Sequence, residues 1–593
     1  MFKDKQSEQD WPWLGLVLVA GLSLRLWGIG WGLPNLYHAD EGLTVRQALA
    51  FGAGYLQPYE YVHSPLLPYI VTVLYGLHFL LGLASGRFHS PSDLAVSFFN
   101  NPTPFYLLAR LTSTVFGVAA ILVAYALGMR AYGHRAGLVS ALCVALSPAL
   151  VRHAHYSQYD IPMACLVLVA LTLLWRFAEE PDARRFLIAS VAVGLAIVMK
   201  YAAFPLVVPF VVAVLWVAKH RHWSRRQVLS YLAWGGIVAG GTFVAVSPYT
   251  VLDFHNFWSD VVLFQLATQV GYGQAFSKIL AYYASALTFE GLGLPLMIAG
   301  LAGLAYAIYR RRSADLLLAS FAVSYLAVLL LQRLTQPNYI VGVVPVLGIL
   351  AALALDAIWH ALPARWARWW PAALLVLGVA VGPMAYRAYR VGQSFSWPDT
   401  RTMARAWIEA NIPAGAKTLS DPTWTVPQLR ESRASLTRSL GQRAVSKKIE
   451  TRAESTQAAY GQYARYQLAA LDSYSGPTYD IEYIPHLSWQ ADESAPDVEV
   501  FPVWGTFRGK VFSLEELRAQ GFQYAVVSSL KYAQYLREDG KQKWPSYYAL
   551  YSSLEEQCRL LKEFAPDTRV VGPVIKIYDL RSPACGGTLR SPP

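Results

Sequence analysis

Charge is what this sequence has least of. Only 15% of its 593 residues are Asp, Glu, Lys or Arg, whereas 55% are hydrophobic and mean hydropathy is +0.31. A soluble globular chain carries about 25% charge, so the shortage excludes a wholly water-soluble body and points to a bilayer. Cysteine is also scarce: of four, Cys143 and Cys165 fall inside apolar runs and read as inert packing residues. Several catalytic signatures are missing. There is no H-E-x-x-H motif, Walker A loop, Gly-rich dinucleotide fingerprint or serine nucleophile elbow, so nothing points to an ATP or nucleotide-sugar site. No internal repeat is visible. MFKDKQSEQD (residues 1–10) leads into an apolar run too long for an h-region and without a small-residue cleavage site, so no cleavable signal peptide is expected.

What is present is a series of apolar runs, each long enough to cross a bilayer at about 18 residues or more. Spans are expected near residues 12–33, 106–129, 136–152, 160–178, 185–199, 201–218, 228–247, 291–309, 314–332, 339–358 and 371–389. That makes a polytopic α-helical membrane protein of about eleven spans. From about residue 394 the chain turns polar and aromatic, so the expected organisation is a membrane domain over 1–393 and a soluble α/β domain over 394–593. The net charge of +12 does not imply nucleic acid, because Lys and Arg sit in short loops between apolar runs, where they set orientation. Loops 130–135, 179–185, 219–226, 310–312 and 364–368 all fall in the cytoplasm with the N-terminus. The C-terminal domain is then extracytoplasmic, in a multi-pass plasma (inner) membrane protein. This alternation leaves no room for residues 65–85 as a simple span. They are expected to be a re-entrant or interfacial helix within one outer loop, 34–104, with the amphipathic stretch 88–105 along the interface.

On this topology, polar residues far apart in sequence converge on the outer face: Asp40 and Glu41 in YHADEG, His63, Arg110, the segment RHAHYSQYD (152–160), Lys200 and residues 332–338. Each also has a bland reading. Asp40 could solvate a loop, and Asp160 could serve the helix N-terminal dipole. Lys200 could snorkel to headgroups or hold a lipid phosphate; cations are disfavoured in outer loops, which favours the second. Arg25 reads as a paired structural charge facing the bundle. His153 and His155 read as core residues, since two histidines make a weak metal signal. A carboxylate and cations beside a lipid cavity suit one reaction: the carboxylate deprotonates an acceptor hydroxyl while the cations stabilise a phosphate leaving group. The donor is then a sugar on a membrane lipid phosphate. The rival is a transporter or flippase of lipid-linked glycans, which would place its polar residues near the midplane.

With those residues in hand, residues 10–390 resemble the GT-C glycosyltransferases, in particular the protein O-mannosyltransferases and the lipid A aminoarabinose transferases. YHADEG (37–42) is similar to their first-loop acidic motif, HSPLLPY (63–69) to their His-Pro-Pro-Leu element, and ARLTSTVFG (109–117) to the arginine helix. YDIPMACLV (159–167) resembles the second acidic position and GLAIVMKYAAF (194–204) the lysine near the lipid phosphate. QRLTQPNYIVGVVP (332–345) resembles a late segment that often carries Arg-Tyr; it reads Asn338-Tyr339 here, leaving Arg333 as the candidate substitute. The resemblance implies a polyprenyl-phosphate-linked sugar donor, hexosyl or pentosyl, transferred with inversion to an acceptor glycan, lipid or protein. It implies Asp40 as general base, with Glu41 and Asp160 in support. Lys200, Arg110, His63, Arg333 and Tyr339 would bind the substrate phosphate or sugar. No cofactor is called for, although a divalent cation is compatible with the motif.

In the C-terminal part, a helix is expected within 400–417, ending at Pro413 and Gly415, with others at 513–521 and 552–564, a strand at 523–529 and a closing strand or hairpin at 570–580. The aromatic-rich stretch 460–504 suits either a glycan acceptor or packing against the membrane domain. Cys558 and Cys585 both fall where a disulfide persists, so they are a candidate pair.

Overall fold

The computed structural model describes residues 5–263, 274–332, 334–361, 370–444, 454–485 and 511–581. The first two thirds are helical: α1 (Lys5–Leu26), α2 (Glu41–Gly52), α3 (Leu66–Ala84), α4 (Pro91–Asn100), α5 (Thr103–Tyr132), α6 (His134–Leu146), α7 (Pro148–Ala154), α8 (Asp160–Glu179), α9 (Ala183–Met199), α10 (Val207–His220) and α11 (Arg225–Val246). Helices Leu294–Arg310, Ser313–Leu331, Val344–Ala361 and Trp370–Ser396 follow. Among the described residues, seven helices are long and apolar enough to cross a membrane, or nine if two bent pairs each count as one. The chain is therefore a multi-pass membrane protein.

The expected eleven spans each coincide with a helix, but the count differs for physical reasons. The apolar part of α1 is Trp11–Leu26 and α9 has 17 residues, both near the lower limit for a crossing. The segment assigned by charge parity to a re-entrant or interfacial helix is α3, an unbroken 19-residue helix that is apolar and long enough to span. Tyr75 at its midpoint donates to the Phe105 carbonyl in the first turn of α5 (3.0 Å), so the middle of α3 lies level with the beginning of α5. Helix α4 is capped by Ser90 and Asp93, each side chain receiving the other's backbone N–H. It also packs on protein: Phe99 meets Tyr463 edge-on, 4.8 Å between ring centres.

Two close approaches shape the bundle. Gly303 packs against helix Val344–Ala361, where a Cβ would lie 1.8 Å from the Leu350 carbonyl oxygen; only a glycine lets these backbones meet. Helices α6 and α7 bend by 54° at Pro148, whose missing N–H would have paired with the Val144 carbonyl. Arg25 supplies the donor instead: Nη2 reaches Val144 O (3.0 Å) and Nη1 reaches Ala145 O (3.1 Å). Arg25 is fully buried. It faces the bundle as expected, but its partners are carbonyls at a helix break rather than an acid.

The C-terminal part is built on a five-stranded mixed sheet, β1 (Lys417–Ser420), β2 (Asp480–Tyr483), β3 (Tyr524–Ser528), β4 (Arg559–Phe564) and β5 (Ile575–Asp579), in spatial order β2-β1-β3-β5-β4. β1 is parallel to both neighbours, whereas β5 is antiparallel to β3 and β4. The helix expected over 552–564 ends early. Helix Pro545–Gln557 stops at Cys558, which is extended, and the remainder becomes β4 because pairing with β5 outweighs a weak helix preference. Cys558 is buried; Cys585 lies outside the described residues, and with it the candidate disulfide.

Asp421 follows β1 and is fully buried, accepting from Tyr551 Oη (2.6 Å) and from the Ser528 N–H (2.7 Å). Burial pushes its carboxyl up to about 6, and the nearby Lys531 amine is lowered by burial to about 8. A raised carboxyl pKa means that the folded state holds the proton more tightly than the unfolded one. Stability therefore falls as pH rises from 3.8 through about 6, by about 3 kcal/mol in all. Lys531 acts in a separate window above about 8, where stability rises with pH. The unfolding temperature of the C-terminal part, followed by tryptophan fluorescence, is expected to be higher at pH 5 than at pH 7. Asp421→Asn is expected to flatten that dependence.

Candidate functional site

Helix α2 begins at Glu41 with Asp40 as its N-cap residue, which presents two consecutive carboxylates in opposite directions. Asp40 is half-buried. Its Oδ2 accepts from Gln158 Nε2 (3.1 Å), and its backbone N–H donates to His38 Nδ1 (3.3 Å). Because a carboxylate can only accept, Gln158 must turn its NH2 to Asp40 and its oxygen to His153, whose Nδ1 lies 3.3 Å away. His153 thus orients Gln158, and Gln158 orients Asp40.

Glu41 points the other way, into the protein. Its carboxylate receives Arg110 Nε and Nη2 in parallel (both 2.8 Å) and the Ser157 N–H (3.0 Å). Arg110 Nη1 binds the carbonyls of Ile29 (2.7 Å) and Trp31 (2.9 Å). Both side chains are at most 1% exposed. Burial alone would raise the Glu41 carboxyl, but the Arg110 guanidinium outweighs it and holds it below the usual range. Four segments are pinned here: the 29–31 turn, the start of α2, α5 and the loop before α8.

Asp160 opens α8 and is 2% exposed. Lys200, the residue after α9, donates from Nζ to Asp160 Oδ1 (2.6 Å), and Asn338 Nδ2 reaches both carboxylate oxygens at 3.4 Å. The 3-10 turn Pro337–Gly342 thus carries an amide to the place where the motif had suggested an arginine. Tyr339 in the same turn is half-buried, and its carbonyl accepts from Tyr325 Oη (3.0 Å). Arg333 lies outside the described residues. His63 hydrogen-bonds Glu60 through Nδ1 (2.9 Å) and stacks on Tyr159 (5.1 Å). Burial opposes its charge, but the Glu60 hydrogen bond and charge prevail and raise its pKa, with Asp40 adding to the rise and Lys200 opposing it.

Asp40, His63, Asp160 and Lys200 therefore share one region, as the topology argument had expected. Glu41 and Arg110 are spent on each other. Sequence reading missed Glu60 and the role of Gln158; the three-residue spacing of Glu60 to His63 was a usable signal, and the amide inside RHAHYSQYD was not. Among the described residues no group of three or more His, Cys, Asp or Glu is arranged to hold a metal ion.

Residues 106–251 match the family model described as dolichyl-phosphate-mannose-protein mannosyltransferase. No curated protein matches the chain in sequence. The Archaeoglobus fulgidus oligosaccharyltransferase, solved in complex with Zn and sulfate, is similar over 94% of this chain and 79% of its own, at 14% identity and a TM-score of 0.50. ArnT from Cupriavidus metallidurans in the apo state is similar over 96% of this chain and 98% of its own, at 16% identity and a TM-score of 0.49. As the sequence motifs implied, the chain has the fold of the GT-C glycosyltransferases and resembles the protein mannosyltransferases over residues 106–251.

Proposed function

We propose that this protein is an integral membrane glycosyltransferase that moves a sugar from a polyprenyl-phosphate carrier to an acceptor hydroxyl, with Asp40 as general base. One observation carries the assignment of the base. Of the four carboxylates in the region, Glu41 and Asp160 are each neutralised by a cation and Glu60 is buried against His63, whereas Asp40, among the described residues, accepts a single hydrogen bond from a neutral amide. It is also the one of the four that is only half-buried, so its free lone pairs are open to a substrate proton. The match of residues 106–251 to a family named for dolichyl-phosphate-mannose supports the donor class.

The step balances on the chain's own residues. The acceptor hydroxyl gives its proton to Asp40, its oxygen bonds the anomeric carbon from the face opposite the phosphate, and the carbon–oxygen bond to phosphate breaks with inversion. Lys200 has three N–H donors and uses one on Asp160, leaving others for the departing phosphate. Asp160 with Asn338 holds Lys200 in place, and His63 with Glu60 lines the same region. Glu41 and Arg110 brace the loop instead of touching substrate. The site faces the side opposite the basic loops, so the C-terminal part, residues 394–593, is extracytoplasmic and the N-terminus cytoplasmic.

The test is transfer of radiolabelled sugar from a panel of polyprenyl-phosphate sugars by purified protein in lipid, with a membrane extract as acceptor. Transfer by the wild type that Asp40→Asn abolishes supports the reading and names the sugar. Carrier binding without transfer from any donor overturns it in favour of a lipid-glycan transporter.

A further inference from the structure

Among the described residues, the three residues before the HADE motif take their hydrogen bonds from the C-terminal part. Gln428 pairs both backbone groups of Leu36: the Leu36 N–H donates to Oε1 (3.0 Å) and Nε2 donates to the Leu36 carbonyl (2.7 Å). This is the bonding of a strand neighbour, made by a side chain. Tyr37 Oη meets Thr402 Oγ1 (2.9 Å), and its ring lies under the Arg401 guanidinium at 3.9 Å. Arg405 Nη1 reaches Asn35 Oδ1 (2.5 Å). Arg401 is itself immobilised, paired through Nε and Nη2 to Asp399 (2.8 Å each) and through Nη1 to the Trp424 carbonyl (2.8 Å). From His38 onward the partners change. The His38 ring packs on Tyr156 (4.2 Å) and Asp40 takes its hydrogen bond from Gln158 (3.1 Å), both from the membrane part.

We infer that Gln428, backed by Arg401 and Thr402, is a positioning residue for Asp40: the C-terminal part sets the reach of the base toward the acceptor and belongs to the transferase machinery. The inference rests on Asp40 being the base. Leu36 lies four residues before Asp40, joined to it through a bend and a turn, so a shift at the grip is passed along a short stretch of chain to the carboxylate. Misplacement of a catalytic group by about 1 Å costs on the order of 100-fold in rate. Among the described residues, every hydrogen bond to Asn35, Leu36 and Tyr37 comes from residues 401–428; the membrane part adds the Trp31 ring against Tyr37 (5.9 Å) and apolar packing on Leu36, which fix neither backbone group.

The experiment is a double-mutant cycle on the full chain in lipid. Gln428→Met keeps the volume and removes both bonds to Leu36. The expected result is a kcat lower by about 10- to 100-fold, with KM for the lipid donor and the unfolding temperature unchanged. In an Asp40→Asn background, Gln428→Met should cause no further loss, because a group with no base to place has nothing left to do. Thr402→Val, nearly isosteric, should give a smaller loss with the same non-additivity, and it decides the matter if Gln428→Met does not fold. Unchanged kcat in the folded variants, or an equal loss with and without Asp40, overturns the inference. Full activity of Asp40→Asn alone would instead remove the reading on which it rests.

Discussion

Asp40→Asn should leave the protein folded and the lipid carrier bound, while sugar transfer falls by about 10²- to 10⁴-fold. The substitution changes one atom, and the asparagine oxygen can still accept from Gln158 Nε2, the bond that Asp40 makes now. What disappears is the capacity to take a proton. Asp40 sits outside the buried ion pairs, so its charge supports little of the fold and its loss falls on chemistry. Release of labelled sugar in single turnover, with carrier binding measured beside it, checks both halves. A rate within a few-fold of wild type would mean that the proton goes elsewhere.

Arg110→Met is expected to have the largest effect on stability. It strands the Glu41 carboxylate, 0% exposed, with only the Ser157 N–H of its three hydrogen bonds. Removing one partner of a buried pair costs about 3–5 kcal/mol, so the outer loop should open and become protease-sensitive near residues 29–41. Two further results separate this from a phosphate-binding role. The damage should lessen at acid pH, because Glu41 without Arg110 can take up a proton and become neutral. Adding Glu41→Gln should also recover part of the stability by removing the stranded charge. A folded Arg110→Met protein with a raised KM for the donor would restore Arg110 as a phosphate ligand.

How far the sequence could go is seen in particular residues. The apolar runs marked the long helices of the membrane part because hydrophobic length is a local property, whereas helix Glu454–Asp472, with no apolar run, went unread. The parity of basic loops also brought Asp40, His63, Asp160 and Lys200 to one face without any distance information. Pairing was not legible. Glu41 and Arg110 are 69 positions apart, and nothing in YHADEG says which carboxylate turns inward; the start of α2 decides it, since consecutive residues on a helix point roughly 100° apart. Helix α3 shows where the two signals part: its length and apolarity suit a span, whereas the parity of the charged loops assigns it to the outer loop. The strand β4 was read as helix because its pairing partner, β5, was invisible. Gln428 was out of reach altogether, as its partners are backbone atoms of Leu36, 392 positions away.

The bend between α6 and α7 places a demand on biogenesis. Arg25 emerges from the ribosome 120 residues before the carbonyl of Ala145 that it serves, a delay on the order of ten seconds at ordinary synthesis rates. During that interval the guanidinium has only the Gly21 carbonyl of its own helix (2.9 Å), and a charge so placed is costly to hold in hydrocarbon. Insertion of the first helix is thus completed by a later one, and the proline break matures only when the arginine is already waiting. Membrane entry of the two segments is a joint event, its order written into a single side chain.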